Sequence, residues 1–389
     1  MRLATWMPFE VAVRELGFFW GVSLSEATVR RHAYAAGAAH VAVQAAAVER
    51  IERGEQPPGP PGPAVQLVSA DGAMVPLVGG QWAEARTLAI GTVGPPRRDP
   101  KTGEWDVHAS ELTYFSRLAD AETFSRLATV EFWARGTEHA GVVVAPLDGS
   151  EWLQGLLDAH RPDAVRVLDF PHALQHVADA GRATFADPAA GAAWLTEQAH
   201  RLKHDDPQRV LEALRALPVE AATDPVAATA AREATLGYLE KRRAQLRYAE
   251  FRVLGYPIGS GCVESANKLV VQARLKGPGM HWARPHVDPM LALRTVACSG
   301  RWTEAWPRIV AELRDAVAGR RTARRRARRA EPPAPLSRPA PHRASVEPLR
   351  RLPPRRAPTI VAGRPTAAHP WKRRALGHPT AAAPTSAKS

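Results

Sequence analysis

The spacing of apolar residues changes along the chain from helical to extended and back to helical. Residues 8–20 repeat large apolar side chains at helical spacing, and after a Gly-Val-Ser turn Ser25 is placed to cap a second helix that runs to about Arg53. The segment EQPPGPPGP then interrupts regular structure. We therefore predict a small helical region over residues 1–53, followed by a linker over 54–63.

Two interpretations fit this helical region. A short helix, a glycine turn and a basic second helix with Arg30 and Arg31 facing outward are typical of a helix-turn-helix DNA-binding module. An ordinary helical hairpin gives the same pattern. The sequence leaves both open, and Arg30 and Arg31 are candidate DNA contacts under the first interpretation.

An extended pattern follows the linker. Residues 64–69 predict a strand that ends at Asp71 and Gly72, and residues 73–78 and 82–93 predict two more. Three strands in succession indicate an antiparallel meander. The next stretch, which begins with ELTYFSRL, is predicted to be helical.

The rest of this region alternates strand and helix. GVVVAPL is a continuous apolar run, as in a strand buried on both faces, and it ends at Asp148. A helix, the strand AVRVL and another helix follow. The order β-β-β-α-β-α-β-α is typical of few compact folds. It favours a ribonuclease H-like mixed sheet of the α/β (α+β) class, whose first part covers residues 64–180.

The remaining folded part is predicted to be helical. Residues 181–256 carry helical patterns without a strand signal between them, which predicts an all-helical insertion. Residues 257–318 then complete the predicted core. They begin with a Gly-Ser-Gly segment and the helix of Glu264, and two further helical patterns follow.

Charge separates the end of the chain from the rest. The 389 residues have a net charge of +13, but residues 320–389 contain 18 Lys or Arg and two acids, a local charge of +16 that leaves −3 for residues 1–319. This end also has 13 of the 35 prolines and few large apolar residues, so we predict that residues 319–389 are a disordered tail. Its arginine run suits non-specific DNA binding or simple solubilisation.

Composition excludes several classes of protein. An apolar content of 45% indicates a globular chain with a sizeable core. Early charges at Arg2 and Glu10 interrupt the N-terminal apolar residues, which excludes a signal peptide or a spanning helix there. Two cysteines, Cys262 and Cys298, indicate no disulfide framework. We expect a cytoplasmic protein without a membrane partner.

Three acids are expected to meet on the predicted fold. In a ribonuclease H-like sheet the first strand is central and the fourth lies beside it, so Asp71 and Asp148 become neighbours, and a later helix adds Glu264. Three carboxylates at one point repel each other unless a cation binds, and oxygen ligands select Mg²⁺ or Mn²⁺. Two such ions activate a water or a 3′-hydroxyl and stabilise the leaving oxygen of a phosphodiester.

The helix of Glu264 also carries bases. Lys268, Arg274 and Lys276 follow the single acid, and this arrangement suits a metal ligand beside a nucleic-acid phosphate. We therefore take these three bases as candidate DNA contacts. Asn267, between the acid and the first base, is a candidate supporting residue.

Each acid also has a plainer interpretation. Asp71 precedes a glycine, a common turn pair. Asp148 and Glu151 have the spacing of a capping box. Glu264 is placed to pair with Lys268 one turn later. Only their joint placement on the predicted fold favours catalysis.

Asp169 competes with Asp148 for the second acidic position. It follows the strand AVRVL and is placed to cap the next helix. Because that strand is expected to lie farther from the centre of the sheet, we treat Asp169 as a supporting residue. His172 and His176 suit a metal together with Asp169, but no cysteine accompanies them, and a structural or phosphate-contacting role fits the two histidines better.

The chain resembles DDE transposases of bacterial insertion sequences, in particular the ISKra-like group related to Mutator-type elements. The resemblance rests on SADGAMVPL, LDGSEWL, VLDFPHALQHV and, above all, YPIGSGCVESANKLVVQARLKGPGMHW. These motifs occur in the expected order, and the similarity covers roughly residues 8–305.

The resemblance implies a function and a partner. Asp71, Asp148 and Glu264 would occupy the three acidic positions and hold Mg²⁺ or Mn²⁺ for DNA cleavage and strand transfer at terminal inverted repeats. Asp169 and His172 fall where Mutator-like relatives have a C-x-x-H element, with Asp in place of Cys. The implied partners are the repeats, a target DNA and a second copy in a synaptic dimer. Such a protein would be associated with the bacterial nucleoid.

Two features depart from the family pattern. Family members begin with a further cysteine-rich, zinc-ribbon-like segment, so we expect a truncated copy or a misplaced start. The basic extension after Gly319 is not a family feature and fits a frameshifted or fused C-terminus. Three functions therefore stay open: an active transposase, a truncated and inactive remnant that only binds DNA, and a host nuclease of the same fold.

Overall fold

The computed structural model describes residues 1–98, 100, 103, 105–330, 360–361 and 364–365. Five strands form one mixed sheet in the order β5-β2-β1-β6-β7, and two short ones pair as a ribbon, β3 with β4. β2 is antiparallel to β1 and β5, whereas β6 and β7 run parallel to β1, which is therefore central. The bounds are β1 Val65–Pro76, β2 Trp82–Val93, β3 Arg97–Arg98, β4 Trp105–Asp106, β5 Ala109–Arg117, β6 Val142–Leu147 and β7 Val165–Leu168.

Helices occupy most of the remaining described residues. Three precede the sheet, three lie within or just after it, and four follow in the predicted insertion. Their bounds are α1 Arg2–Trp6, α2 Phe9–Trp20, α3 Glu26–Glu52, α4 Ala121–Ala134, α5 Glu151–His160, α6 Phe170–Thr184, α7 Pro188–His204, α8 Pro207–Arg215, α9 Pro225–Lys241 and α10 Tyr248–Val253. The final helices are α11 Gly261–Ala266, α12 Ala273–Leu275, α13 Val287–Cys298 and α14 Trp302–Ala330.

β1 is longer than the sequence predicts. It continues through Asp71 and Gly72 and pairs with β2 over almost its whole length. The predicted division into two strands at this Asp-Gly pair is therefore wrong. The chain turns at Gly79 and Gly80, whose φ angles of 88° and 75° favour glycine. Asp71 is consequently held inside a central strand.

β5 occupies a stretch predicted to be helical, and that prediction is also wrong. Residues 113–117 are all buried, because Tyr114 packs on one face of the sheet and Phe115 on the other. Burial on both faces removes the alternation that distinguishes a strand from a helix in the sequence. β5 takes the place of the third strand of the meander. The strands of the main sheet and the helices after them therefore follow the order β-β-β-α-β-α-β-α, but with other strands than the sequence predicts and with the ribbon of β3 and β4 before β5.

Helices cover both faces of the sheet. The face that carries Val68 and Phe115 packs against α4 and α5. The opposite face, with Val75 and Ala85, packs against α13 and the helical segment that contains Glu264. Residues two apart in a strand share a face, so Asp71 lies on the Val75 face.

The N-terminal helices pack onto α13. Gly37 in α3 lies so close to Pro289 that a β-carbon there would be 2.0 Å from the Pro289 carbonyl oxygen, and only glycine permits this crossing. Residues 54–63 contain no helix or strand, and the Pro57 carbonyl accepts a hydrogen bond from the Trp133 indole at 3.2 Å. Met1–Arg328 form one compact unit.

The predicted helical insertion contains α7 to α10 and no strand in its described residues, as the sequence predicts. Buried Leu211, Leu239 and Phe251 share one apolar cluster with Val167 of β7 and Val177 of α6. Burial of this shared surface fixes the insertion to the parallel edge of the sheet. The strand beside this edge is β6, and Asp148 directly follows it.

The last helix extends beyond its predicted end. Residues 319–330 continue α14, so the prediction that the disordered tail begins at residue 319 is wrong for these residues. Arginine is a good helix former, and the helix is already established by Ile309 and its partners in the core. Predictions for residues 331–389 fall outside the described residues, apart from the ribbon of β8 Ile360–Val361 and β9 Arg364–Pro365.

Among the described helices, none combines the length and the apolar surface that a bilayer span requires.

Candidate active site

The parallel register of β1 and β6, continued beyond its paired residues, brings Asp71 next to Asp148, the residue that directly follows β6. In the pair of β1 and β6, each residue lies opposite the one 77 positions later. Asp71 and Asp148 are separated by the same 77 positions, and Asp148 directly follows β6. The Ser69 hydroxyl donates to the Pro146 carbonyl at 2.7 Å, which extends this match beyond the paired residues.

Asp148 does not form the capping box that its sequence permits. Its Oδ1 accepts a hydrogen bond from the Ser150 amide at 2.8 Å, and Ser150 is the N-cap residue of α5. Glu151 forms an ion pair with Lys241 at 2.6 Å. The carboxylate of Asp148 therefore orders the turn after β6 and does not pair reciprocally with Glu151.

Glu264 lies in the first turn of a helical segment with three parts. α11 is followed by a π-helical part, Asn267–Gln272, and then by α12. Val263 and Ala266 are buried against the sheet and Glu264 is exposed. No ion pair joins Glu264 to Lys268 in the described part of the chain, so the predicted pairing one turn apart is not formed.

Asn267 connects this helical segment to β1. Its side-chain amide donates to Oδ2 of Asp71 at 2.9 Å, while the Gly72 amide donates to Oδ1 at 2.7 Å. Asn267 is only 3% exposed. Glu264 and Asn267 are three residues apart and so lie on neighbouring positions of one helical face. The bond thus brings the face of Glu264 to Asp71.

The three acids influence one another. Burial raises the pKa of Asp71, and the negative charges of Asp148 and Glu264 raise it further. The hydrogen bonds from Gly72 and Asn267 act in the opposite direction, because they stabilise the carboxylate. Within the described residues, no three Asp, Glu, His or Cys side chains are grouped closely enough to hold a metal ion. The charges of Asp148 and Glu264 therefore act on Asp71, although the three side chains are not gathered into one metal-binding group.

Asp169 joins two segments beside the acids. It is the N-cap residue of α6, as predicted, and accepts a hydrogen bond from the His172 amide at 3.0 Å. Its other oxygen accepts from the Ser260 amide at 2.5 Å, in the Gly-Ser-Gly segment that leads to Glu264. Asp169 is 4% exposed, so it positions backbone and supports the site indirectly.

The bases of the Glu264 segment divide into two groups. Lys268 and Lys276 are exposed, and the Lys276 ammonium lies 5.8 Å from the ring centre of Trp82. Arg274 is 3% exposed, and its Nε donates to the Ala4 carbonyl at 3.0 Å. The expectation that Arg274 is available for a DNA phosphate is therefore not met in this fold.

Arg274 and Arg294 hold the helical segment from inside. Burial lowers the pKa of Arg274 to about 10, and its guanidinium lies 4.8 Å from the ring centre of Phe9. Arg294 donates to the carbonyls of Leu269 and Val270, within the π-helical part, and to the Thr5 carbonyl at 2.8 Å. These bonds stabilise an otherwise unfavourable π-helical turn.

The N-terminal bases lie on the surface. Arg30 and Arg31 are exposed on α3, and Arg30 lies 3.6 Å from the Glu26 carboxylate one turn earlier. The two helices of the predicted helix-turn-helix are present, but α3 is 27 residues long and much of it packs on α13. DNA contact by Arg30 and Arg31 stays a prediction.

Sequence reasoning missed Tyr238 and Arg242, which contact the backbone that follows β6. The ring of His176 stacks on Tyr238 at 4.0 Å, and His172 lies at 5.1 Å from His176. The only sequence signal was a Tyr and an Arg four residues apart in a long charged helix. That spacing is too common to single them out.

No protein-family model matches the chain, and a comparison with curated proteins finds no match.

Proposed function

We propose that the chain is a DDE transposase, which cleaves DNA at the terminal inverted repeats of an insertion sequence and joins the 3′ ends to target DNA. The observation that carries this proposal is that strand register and one hydrogen bond bring Asp148 and Glu264 near enough to act electrostatically on Asp71. Asp71 lies in β1 and Asp148 directly follows the adjacent parallel strand β6, and the Asn267 bond to Asp71 brings in the face of Glu264.

The sheet supports the same proposal. The sheet has three antiparallel strands followed by two parallel strands, in the order β5-β2-β1-β6-β7, and helices cover both of its faces. This arrangement is expected of a ribonuclease H-like fold. A helical insertion then separates the last strand from the helix of the third acid. Both features agree with the resemblance to transposases of the ISKra-like group.

The donor set fits Mg²⁺ or Mn²⁺. Asp71, Asp148 and Glu264 offer only oxygen ligands, and their mutual repulsion is the kind that a divalent cation relieves. Bound there, such ions would activate the attacking hydroxyl and stabilise the leaving oxygen. The protein itself orients Asp71 through Asn267 and Gly72, and exposed Glu264 stays accessible to a phosphodiester.

The exposed bases provide a path for the DNA backbone. Lys268 and Lys276 follow Glu264 at four-residue multiples, with Gln272 between them, and all are exposed. Beyond the core, α14 presents exposed arginines without an acid among them: Arg320, Arg321, Arg324, Arg325 and Arg326. Such surfaces bind phosphates by releasing counterions.

The proposal is tested by cleavage of labelled DNA that carries the repeats flanking the gene, in Mg²⁺ or Mn²⁺. Replacement of Glu264 by Gln should lower the rate at least about 10³-fold, since transition-state charge is no longer stabilised, and leave DNA binding intact. Glu122→Gln, on the opposite side of the sheet, is the control and should cleave normally. Equal cleavage by Glu264→Gln and the original chain would exclude the assignment.

A DNA-binding protein without cleavage activity is the second candidate. It is favoured by the absence, in the described residues, of three metal-binding side chains already gathered into one group. The same assay separates the two candidates. Binding with no cleavage in either metal, by both Glu264→Gln and the original chain, would establish the second.

A further inference from the structure

Two side chains of the helical insertion bind the backbone that carries Asp148. The Tyr238 hydroxyl donates to the Asp148 carbonyl. Arg242 donates to the Gly149 carbonyl from Nε at 3.0 Å and from Nη2 at 2.7 Å. Tyr238 and Arg242 are one helical turn apart, and the guanidinium lies 4.0 Å from the centre of the Tyr238 ring. They act as a single unit, which we name the Asp148 clamp.

Gly149 permits this close approach. Its φ angle is 83°, and a β-carbon on it would lie 2.6 Å from both the Tyr238 hydroxyl and Arg242 Nε. The next amide, Ser150, donates to the Asp148 carboxylate at 2.8 Å. The backbone on the C-terminal side of Asp148 is therefore fixed by the clamp, and the carboxylate is fixed by that backbone.

The clamp is itself held from behind. His176 of α6 stacks on the Tyr238 ring at 4.0 Å, and the Thr235 hydroxyl donates to the His176 carbonyl at 3.1 Å. Arg242 also donates to the Tyr238 carbonyl at 3.0 Å. Rings and hydrogen bonds thus limit the movement of both clamp residues.

We propose that Tyr238 and Arg242 are positioning residues for Asp148, so that the helical insertion sets the geometry of the catalytic acids. This inference rests on the proposed function. Neither side chain touches the reacting atoms. Their effect is to hold the turn after β6 where the Asp148 carboxylate lies next to Asp71, ready to share a cation with it. Mutation of residues that orient a metal ligand in this way typically lowers metal affinity or activity about 10–100-fold.

Two single substitutions test the clamp. Tyr238→Phe removes one hydroxyl, and Arg242→Lys keeps the charge but loses the paired donation to Gly149. Tyr34→Phe and Arg243→Lys are matched controls outside the clamp. Thermal denaturation confirms that each variant is folded.

The first readout is amide hydrogen exchange in the peptide that spans residues 147–153, measured without metal. Exchange there should become at least about tenfold faster in both clamp variants and stay unchanged in the controls, because the turn opens locally when its bonds are lost. Unchanged exchange in the clamp variants would overturn the proposal.

The second readout is metal binding. Fe²⁺ replaces Mg²⁺, and added hydrogen peroxide and ascorbate let the bound iron form hydroxyl radicals, which cleave the protein backbone near the acids. Half-maximal cutting should require about 10–100-fold more Fe²⁺ in the clamp variants, and raised Mn²⁺ should restore their DNA cleavage. Equal affinity in all variants would overturn the positioning role. Absence of backbone cutting near the acids in the original chain would overturn the proposed function as well. Faster amide exchange in the clamp variants without a change in Fe²⁺ affinity would show that the clamp stabilises the turn but does not position Asp148 for metal binding.

Discussion

Asn267 donates a hydrogen bond of 2.9 Å to Asp71, although 196 residues separate them in the sequence. The bond joins the central strand to the helical segment of Glu264, and its donor is almost completely buried. The side-chain oxygen of Asn267 is buried and has no hydrogen-bond partner among the described residues. Burial of an unpaired polar atom lowers the stability of the folded protein, which favours a role for Asn267 in the site. This pair is the structural centre of the proposed active site.

Removal of the Asn267 donor should alter metal binding in a pH-dependent manner. Its hydrogen bond lowers the pKa of Asp71, so Asn267→Leu should raise that pKa further and shift the onset of Mn²⁺ binding to higher pH. Titration of Mn²⁺ affinity between pH 5 and 8, in steps of about one unit, measures the shift. Gln272→Leu, exposed on the same segment, is the control, and identical curves for the two variants would contradict the prediction.

Asp71 should cost stability at neutral pH. Its folded pKa is raised above the ordinary 3.8, so the folded state binds this proton more tightly than the unfolded state does. The stability that protonated Asp71 contributes is fully present below the ordinary pKa of 3.8 and is lost as the pH rises through the higher pKa of the folded state. Asp71→Asn should therefore be about 1 kcal/mol more stable near pH 7. Denaturant unfolding in EDTA at several pH values measures this, and a less stable variant at pH 7 would disprove it.

Gly149→Ala should destabilise the protein, because the new β-carbon meets Tyr238 and Arg242 and the residue requires a positive φ angle. We expect a loss of about 1–3 kcal/mol in the free energy of unfolding. Gly237→Ala lies on the neighbouring helix with nothing within 4 Å of its β-carbon, and it should stabilise by about 0.5–1 kcal/mol. The two melting temperatures should thus move in opposite directions.

The bases of the Glu264 segment should behave differently. Lys268→Gln and Lys276→Gln should each reduce the salt dependence of DNA binding by about one unit of slope and leave the melting temperature unchanged. Arg274→Gln should instead lower stability by about 2 kcal/mol, since it leaves the Ala4 carbonyl unpaired inside the protein. Fluorescence anisotropy and thermal denaturation separate these effects. A stable Arg274→Gln variant with weakened DNA binding would refute the distinction.

The arginines at the end of α14 should strengthen DNA binding without sequence preference. Their replacement by Gln should lower the slope of log affinity against log salt by up to about four units, since each lost phosphate contact removes about 0.9. The variant carries Arg320, Arg321, Arg324, Arg325 and Arg326 as Gln. Arg209→Gln and Arg215→Gln, which are paired with acids, should change little. An unchanged slope in the first variant would assign the run to solubility alone.

The sequence determined the features that depend on local pattern. It predicted β2, β6 and β7, the helical insertion, and Asp169 as the cap of α6, because apolar period and capping chemistry act over a few residues. It also predicted that Asp71 and Asp148 are neighbours, because they follow the first and the fourth predicted strands, which are adjacent in a ribonuclease H-like sheet. The local patterns were misleading where burial on both faces hid the strand β5, and where Asp71 and Gly72 were taken for a turn.

Only the tertiary structure decided which side chains meet. That Arg274 points inward, that Asn267 reaches Asp71, and that Tyr238 and Arg242 bind the turn after Asp148 depend on contacts between residues about 90 to 270 positions apart. No local period encodes such pairs. They arise because helices must bury their apolar faces on a particular surface of the sheet, and this packing fixes where each polar group finds its partner.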